Sequence, residues 1–487
     1  MFSGSMRSPF TLSVHLLRGV ALCIATLAAC GQQAAAWTQE VYVWQRLQTA
    51  PAVAEALRRS APLVDAFHVL AAEVAWPAGP AGAGQWAPVA VDYARLAETS
   101  KPVGLVLRVG AFSGKMQRDD ATARLLAARA RSLLATARAV GLEPAELQID
   151  FDCAESRLAG YREWLEALRG ALDSDARHAP AEPGTGMRRV PLVFTALPAW
   201  LRHEEEFAEL ARVSDGFVLQ VHSLDKPSSP DALPELCDPS KVAGHVARAG
   251  KIAAAAGRTF RVALPTYGYL LAFDAQGKFF ALAAEGDRPS WPAGTQVRVT
   301  GADPEQMSDV ARSLANNAPP SCTGVVWFRL PVTGDRLNWS PPTFAAVLAG
   351  RSPRRGLEAV ARWPEADGGS GNDGLAEIIL LNTGERAELL PRAVRVTLSG
   401  NPATPDSLTI AGADGLGGYR WEAQAGEVSG VLSGWRLPPE ASLEPGRQRK
   451  LGWLRFSSAP HGRHNSLSHE QDPNTRPLLK LYIVDAP

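Results

Sequence analysis

The chain is predicted to be an α/β protein, a (β/α)8 TIM-type barrel followed by a C-terminal β-sandwich domain. Three observations carry that expectation. Residues 146–155, Glu-Leu-Gln-Ile-Asp-Phe-Asp-Cys-Ala-Glu, alternate with period two and run straight into a helix with Leu158, Tyr161, Leu165, Leu168 and Leu172 at helical spacing. Strand-then-helix units of this kind recur up to residue 350, and no Gly-rich phosphate turn follows the first strand to favour a doubly wound open sheet instead. Beyond Arg351 the texture changes to short alternating runs punctuated by Gly, Pro, Asn and Asp.

Taken in order, Glu40–Trp44 reads as the first strand, Pro51–Ser60 as a helix and Val64–Val74 as the second strand. A Pro/Gly-rich loop spans Gly79–Gly84. Pro102–Val109 is the third strand, Asp119–Val140 a long Ala/Arg/Leu helix, and 146–155 the fourth strand. Val190–Leu197, Gly216–His222, Phe260–Pro265 and Thr323–Leu330 complete the eight, with Pro342–Leu348 as the closing helix. The barrel is thus expected over 38–350, with an insertion at 274–320 forming a small subdomain on its rim. Ser352–Gly356 reads as a linker into a β-sandwich over 355–487, with strands at Ala376–Leu381, Ala393–Leu398, Tyr419–Ala423, Leu451–Phe456 and Leu478–Val484.

The 487 residues are 46% hydrophobic and 21% charged, ordinary for a globular protein. Fifty basic and fifty acidic residues cancel, which argues against a nucleic-acid partner. The first 29 residues read as a targeting segment, with Arg7 and Arg18 ahead of the apolar run Val20–Ala29, and 30–37 as a linker. Leu27-Ala28-Ala29-Cys30 resembles a bacterial lipobox, which implies cleavage before Cys30 and lipidation of its thiol. By the same resemblance, Gly31 points to the outer membrane, so the expected location is the cell envelope, with the membrane met only through the lipid anchor. An ordinary signal peptide cut near Ala34–Ala36 is the alternative. Cys153, Cys237 and Cys322 remain, without metal-ligand spacing. A Cys237–Cys322 disulfide is compatible with that compartment. His461, His464 and His469 in the 457–475 loop are more readily solvated than metal-binding, and no metal or cofactor is expected.

Two carboxylates in a buried parallel strand are costly unless something pairs with them or uses them. Asp150 and Asp152 stand at i, i+2, so both are expected to point inward at the C-terminal end of the strand, where such barrels carry their chemistry. Neighbouring carboxylates raise one another's pKa, which suits a general acid. A buried pair locked by Arg108, on the third strand, is the structural alternative. Other polar or aromatic residues at inward positions are Glu73, Gln148, Gln220, His222, Tyr267, Trp327 and Arg329. An aromatic floor ringed by such groups suits a sugar, whose apolar faces stack while its hydroxyls take directed hydrogen bonds.

Leu-Gln-Ile-Asp-Phe-Asp at 147–152 resembles the Leu-Asp-Ile-Asp-Trp-Glu strand of the family-eighteen, chitinase-like glycoside hydrolases. Leu-Pro-Thr-Tyr-Gly-Tyr at 264–269 and Gly324-Val-Val-Trp327 resemble that family's seventh and eighth strands. The whole chain, with Leu381-Asn-Thr-Gly-Glu385, is most similar to the bacterial domain-of-unknown-function family 3142. The resemblance implies a glycoside-hydrolase-like barrel acting on a carbohydrate, with Trp327 flooring the sugar site. It places the catalytic acid at Asp152, one methylene shorter than the family's Glu, and the middle Asp at Asp150. The family's first Asp becomes Gln148, and its acetamido-holding Tyr-Asp pair becomes His222 and Ser223. A two-carboxylate mechanism would draw on Glu73 as the second acid.

Two functions follow. One is a glycosidase in which Asp152 protonates the leaving oxygen, Asp150 tunes it and Glu73 assists. Arg108, Gln148, Gln220, His222, Tyr267, Trp327 and Arg329 hold the carbohydrate. The other is a catalytically degenerate glycan-binding or assembly lipoprotein. An inert barrel with Asp150 and Arg108 closed on each other is the structural reading beside them. Oligomeric state is not legible in the sequence.

Overall fold

The computed structural model describes Met1 and residues 37–76, 84–178, 189–284, 289–363, 374–399, 408–424, 429–437, 441–458 and 478–484. Cys30 and its flanking lipobox, most of the 79–84 loop, and His461, His464 and His469 lie outside the described residues.

Eight parallel strands form the barrel: β1 Thr38–Val43, β2 Ala66–Ala75, β3 Val103–Val109, β4 Glu146–Phe151, β5 Leu192–Ala196, β6 Gly216–Gln220, β7 Thr259–Pro265 and β8 Cys322–Phe328. Each pairs with the next, β8 pairs with β1, and β1 pairs with β2, so the sheet closes on itself. Closure excludes the doubly wound alternative. Gln85–Ala87 adds an antiparallel edge to β2.

A helix follows every barrel strand, and the sequence dictates where several of them begin. Asp120 accepts from the Ala123 amide at 2.6 Å and starts Ala121–Ala139. Asp238, Asp303 and Ser340 cap Pro239–Ala256, Pro304–Asn317 and Pro341–Leu348 in the same way, each with Pro in the first turn. Gly257, at φ 66°, ends the helix after β6 in the left-handed conformation that glycine adopts freely. On β4, Leu147, Ile149 and Phe151 are buried on the helix side, and Phe151 stacks on Trp164 at 5.8 Å.

The barrel interior is layered. At the N-terminal end lies a buried ionic layer of Glu40, His68, Glu146 and Arg261 with Tyr42 and Gln148. Above it sits an apolar layer of Leu70, Val106, Val193, Val218, Ala263 and Val326. The polar and aromatic layer at the C-terminal end is the candidate site. Gly104 on β3 is required by the lowest layer: a Cβ there would lie 2.4 Å from the His68 ring.

After β7 the chain builds a three-stranded antiparallel sheet on the rim, from Gly268–Phe273, Phe279–Ala283 and Gln296–Gly301. Pro304–Asn317 then returns as the helix of the seventh repeat, packing on the helices either side of it. The C-terminal part is a β-sandwich. One antiparallel sheet holds Leu357–Arg362, Leu375–Asn382, Gln448–Ser458 and Leu408–Gly415, in that order. The other holds Tyr419–Ala423, Ser429–Gly434, Ala393–Ser399 and Leu478–Val484. Alternate residues such as Ala376, Ile378 and Leu380 meet Val394, Val396 and Leu432 in its core.

The Asn382–Glu385 turn ties the sandwich to the barrel. The Glu385 carbonyl accepts from Thr343 Oγ1 at 2.7 Å, and its carboxylate from Arg351 at 2.5 and 2.8 Å and from the Arg354 amide at 3.0 Å. These bonds hold its carboxyl down to about 2, the Arg351 guanidinium contributing most. Arg386 reaches Glu305, in the first turn of the seventh helix, at 3.0 Å. Residues 351–356 are therefore pinned by hydrogen bonds rather than strung between domains. Cys237 and Cys322 are buried free thiols, so the disulfide left open by the sequence is not formed; burial pushes both thiols up to about 12.

Candidate functional site

The site is built on a register. Glu73 on β2, Arg108 on β3 and Asp150 on β4 are paired neighbours across the sheet, so their side chains stand side by side at one level. Arg108 lies between the two carboxylates, 3.8 Å from each. That distance is an ion pair without a hydrogen bond, so Asp150 and Arg108 are not locked together.

Asp150 is 5% exposed. Its Oδ1 accepts from Thr195 Oγ1 at 2.8 Å and from Gln220 Nε2 at 3.1 Å. Burial raises its pKa above the usual carboxylate range, and the charge of Asp152 pushes the same way. Arg108, Thr195 and Gln220 pull it down without winning. Asp150 therefore keeps its proton at a higher pH than an ordinary aspartate. Asp152, one residue past the end of β4, is exposed, and its carboxylate makes no hydrogen bond or ion pair among the described residues. Glu73 is engaged elsewhere: Arg46 holds it at 2.7 Å.

Aromatic rings do gather at the C-terminal end of the barrel, but Trp327 is not among them. Trp327 is 0% exposed and points outward, with Trp339 at 5.7 Å and Phe344 of the closing helix at 6.3 Å. The strand's phase puts Val326 and Phe328 inward, so Trp327 is helix-side core and cannot floor a sugar site. Phe328 faces inward instead, 4.9 Å from Trp44 in an edge-to-face pair. His222 stacks on Phe328 at 5.3 Å, and Tyr267 meets it edge-on at 5.4 Å.

His222 is 9% exposed, and burial pushes it down to about 4, so it is neutral at physiological pH. Its Nδ1 lies 3.4 Å from the Tyr267 hydroxyl, while its Nε2 is buried without a hydrogen-bond partner. Tyr269 donates to the Tyr267 hydroxyl at 3.4 Å, and burial raises the Tyr267 pKa further above its ordinary value. Arg329 is 3% exposed, pairs with Asp335 at 2.5 Å, and sits 6.0 Å above the Tyr267 ring. It is engaged with Asp335 and Tyr267, where the sequence suggested a contact to the carbohydrate.

Gln148 also departs from expectation. It is 0% exposed in the lowest layer, where it accepts from Tyr42 at 2.8 Å and bonds His68 at 2.9 Å, so it faces no cavity a ligand could enter. The residues the structure brings together at the mouth are thus Asp150, Arg108, Gln220, His222, Tyr267 and Glu73, with Asp152 at the edge. Thr195, Trp44 and Phe328 join them, unforeseen. Thr195 was visible as the one polar residue in Leu-Val-Phe-Thr-Ala; Phe328 required the strand's phase. Among the described residues, no group of three or more His, Cys, Asp or Glu is placed to hold a metal ion. Nor is any helix among them long and apolar enough to cross a membrane.

Residues 99–333 match the family described as a domain of unknown function, DUF3142, which takes in strands β3 to β8. Residues 369–457 match a second domain of unknown function, DUF8456, within the sandwich. No curated protein matches the sequence. Among solved structures, the barrel is similar to the spore cortex-lytic enzyme SleL of Bacillus cereus, at 12% identity and TM-score 0.41, over 65% of this chain and 75% of that one. A chitinase from Chromobacterium violaceum is 14% identical at TM-score 0.42, over 65% of this chain and 98% of that one. A GH18 chitinase from Cycas revoluta with bound (GlcNAc)3 is 13% identical at TM-score 0.39, over 64% and 97%.

Proposed function

We propose, for a chain whose residues 99–333 belong to the DUF3142 family, that the barrel mouth binds a glycan and cleaves it as a glycoside hydrolase. The observation that carries this reading is the pair at the end of β4. Asp150 is buried, proton-retaining and held by Thr195 and Gln220, and Asp152 stands exposed two residues on. In this reading Asp152 gives its proton to the glycosidic oxygen as the bond to the anomeric carbon breaks, and water completes the hydrolysis. Asp150 stands two residues before that acid on the same strand end, held in place by Thr195 and Gln220. Trp44 and Phe328 offer a face for the ring, and the unsatisfied His222 Nε2 and the Tyr267 hydroxyl offer polar contacts to sugar hydroxyls. Glu73, engaged by Arg46, fits a supporting role better than that of a second acid.

Binding without cleavage is the second reading. It is favoured by Asp152 itself: no hydrogen bond fixes its carboxyl, and proton transfer depends on positioning. Incubation of the purified chain with a broad panel of oligosaccharides separates the two. New reducing ends that disappear in Asp152→Asn support hydrolysis. Saturable binding without product in either protein supports the binder, and neither binding nor product removes the glycan reading.

We propose also that Cys30 is lipidated and that the protein is anchored in the cell envelope, as its lipobox-like Leu27–Cys30 supports. Incorporation of labelled palmitate that is lost in Cys30→Ala is the expected result. Equal labelling of both proteins overturns it.

A further inference from the structure

Where the barrel meets the sandwich there is a cavity of about 410 Å³. This lies in the range of small-molecule sites, roughly 300–1,000 Å³. One wall is the loop after β8, with Asp335, Arg336 and Trp339; the other is the sandwich turn carrying Glu444 and Arg447; Arg59 closes one end. The charges do not cancel locally. Arg59 is paired with Glu55 at 3.2 Å, and Asp335 with Arg329 at 2.5 Å. Arg336 and Arg447 are exposed, and neither makes a salt bridge among the described residues. Glu444 is the opposing carboxyl. One carboxylate faces two guanidinium groups, so it offsets them only in part. Pro341, Pro342 and Trp339 supply an apolar wall beside them.

The cavity and the mouth share a loop. Asp335 accepts from the Leu337 amide at 3.1 Å and holds Arg329, whose guanidinium lies over Tyr267 in the mouth.

We infer that the junction is a second binding site, taking an anionic unit, with a carboxylate or a phosphate, of the same glycan that enters the mouth. The inference rests on the glycan reading of the mouth and adds the charge of the ligand. Two guanidinium forks suit either anion, and the apolar wall suits the ring that bears it. The sandwich thereby becomes part of the binding surface, because half of the anion contact comes from its 444–447 turn.

The test is equilibrium binding to the full chain of three probes: a uronic-acid oligosaccharide, glucose 6-phosphate, and a neutral glucose oligosaccharide. The wild type is expected to bind at least one anionic probe more tightly than the neutral one, with affinity falling as salt rises. Which anionic probe wins distinguishes carboxylate from phosphate. Arg336→Ala with Arg447→Ala should weaken the anionic probe about tenfold or more, and the paired Lys substitutions should keep part of it. Both side chains are exposed, so unchanged thermal unfolding checks that the fold is retained. Equal affinity for charged and neutral probes overturns the inference, as does anionic binding that survives the double substitution. Loss of the anionic probe in Asp150→Asn alone moves the anion into the mouth and overturns the junction site while leaving the mouth reading intact. Anionic binding that depends on the two arginines, with a mouth that binds no neutral glycan, supports the junction and removes the reading of the mouth.

Discussion

Thr195 Oγ1 donates to Asp150 Oδ1 at 2.8 Å, from β5 to β4, and that bond meets a carboxyl that burial biases toward its protonated form. An amide at position 150 keeps an acceptor for Thr195 and Gln220 and removes a charge the barrel disfavours. The sign follows from linkage. A carboxyl whose folded pKa is raised stabilises the fold most below its unfolded pKa, and that contribution is lost as pH rises through the folded value. Asp150→Asn is therefore expected to unfold at the same or a higher temperature than the wild type at neutral pH, with the gain vanishing in acid. Calorimetry at both pH values checks it. A neutral-pH loss of several degrees would show the carboxylate to be needed by the fold.

The lowest barrel layer behaves in the opposite sense. Burial alone would raise Glu40, but Arg261 and His68 outweigh it and bring it to about 2. A depressed carboxylate stabilises above its unfolded pKa and loses that contribution as pH falls from about 4.5 toward 2. Arg261→Met leaves Glu40 and Glu146 buried without their guanidinium, and breaking a buried pair from one side costs roughly 3–5 kcal/mol. Chemical denaturation at neutral pH should show that loss, and the variant should also be less sensitive to acid in that window.

His222 adds a second acid-sensitive element. Its pKa is depressed to about 4, so protonating it in the folded protein is penalised, and stability falls as pH drops from about 6.5 toward 4. His222→Phe should flatten that part of the profile. It should also weaken any mouth ligand that uses Nε2, by roughly tenfold for one lost buried hydrogen bond. A pH profile that matches the wild type would contradict the assignment.

Phe328 and Trp327 are adjacent in sequence and opposite in consequence. Phe328→Ala removes a floor ring and is expected to lower glycan affinity about tenfold with a modest stability loss. Trp327→Ala empties a buried position against the closing helix and should cost about 3–5 kcal/mol of stability. Any effect on affinity should be confined to what misfolding causes. Denaturation and binding curves on both variants give the comparison.

The junction is held by close backbone approach as well as by charge. A Cβ on Gly384 would lie 2.6 Å from the Arg354 carbonyl and 2.7 Å from the Gly356 amide. Gly384→Ala should therefore loosen the 351–356 segment and expose it to protease, while the barrel keeps its own unfolding transition. Limited proteolysis with mass mapping of the first cut is the check.

The sequence made the barrel legible because alternating strands and capped helices are local signals: Pro51–Ser60 begins and ends where it reads, and β4 buries Leu147, Ile149 and Phe151 as its period requires. The sandwich was legible from the same period at 376–381 and 393–398. Its strands at 357–362, 408–415 and 429–434 were not, because Gly and charged residues break their alternation. Glu73, Arg108, Asp150, Gln220, His222 and Tyr267 fell on inward positions as their strand phases suggested. Trp327 did not. A buried parallel strand is apolar on both faces, so Val-Val-Trp-Phe carries no alternation, and one residue of phase decides which aromatic faces the barrel interior. Gln148 was misplaced in depth, since phase tells inward from outward but not how far down the barrel a side chain sits. The Glu40–His68–Glu146–Arg261 layer joins four strands distant in sequence, and no local pattern announces it.

Glycan occupancy of the mouth is tested most directly by a saturation binding measurement. The full chain and its His222→Phe/Phe328→Ala variant are titrated with the glycan that the wild type retains from a broad array. Saturable binding by the wild type and at least about a hundredfold loss in the variant is the predicted result, two mouth contacts at roughly tenfold each. An array from which the wild type retains nothing, or equal affinity in the two proteins, would contradict it.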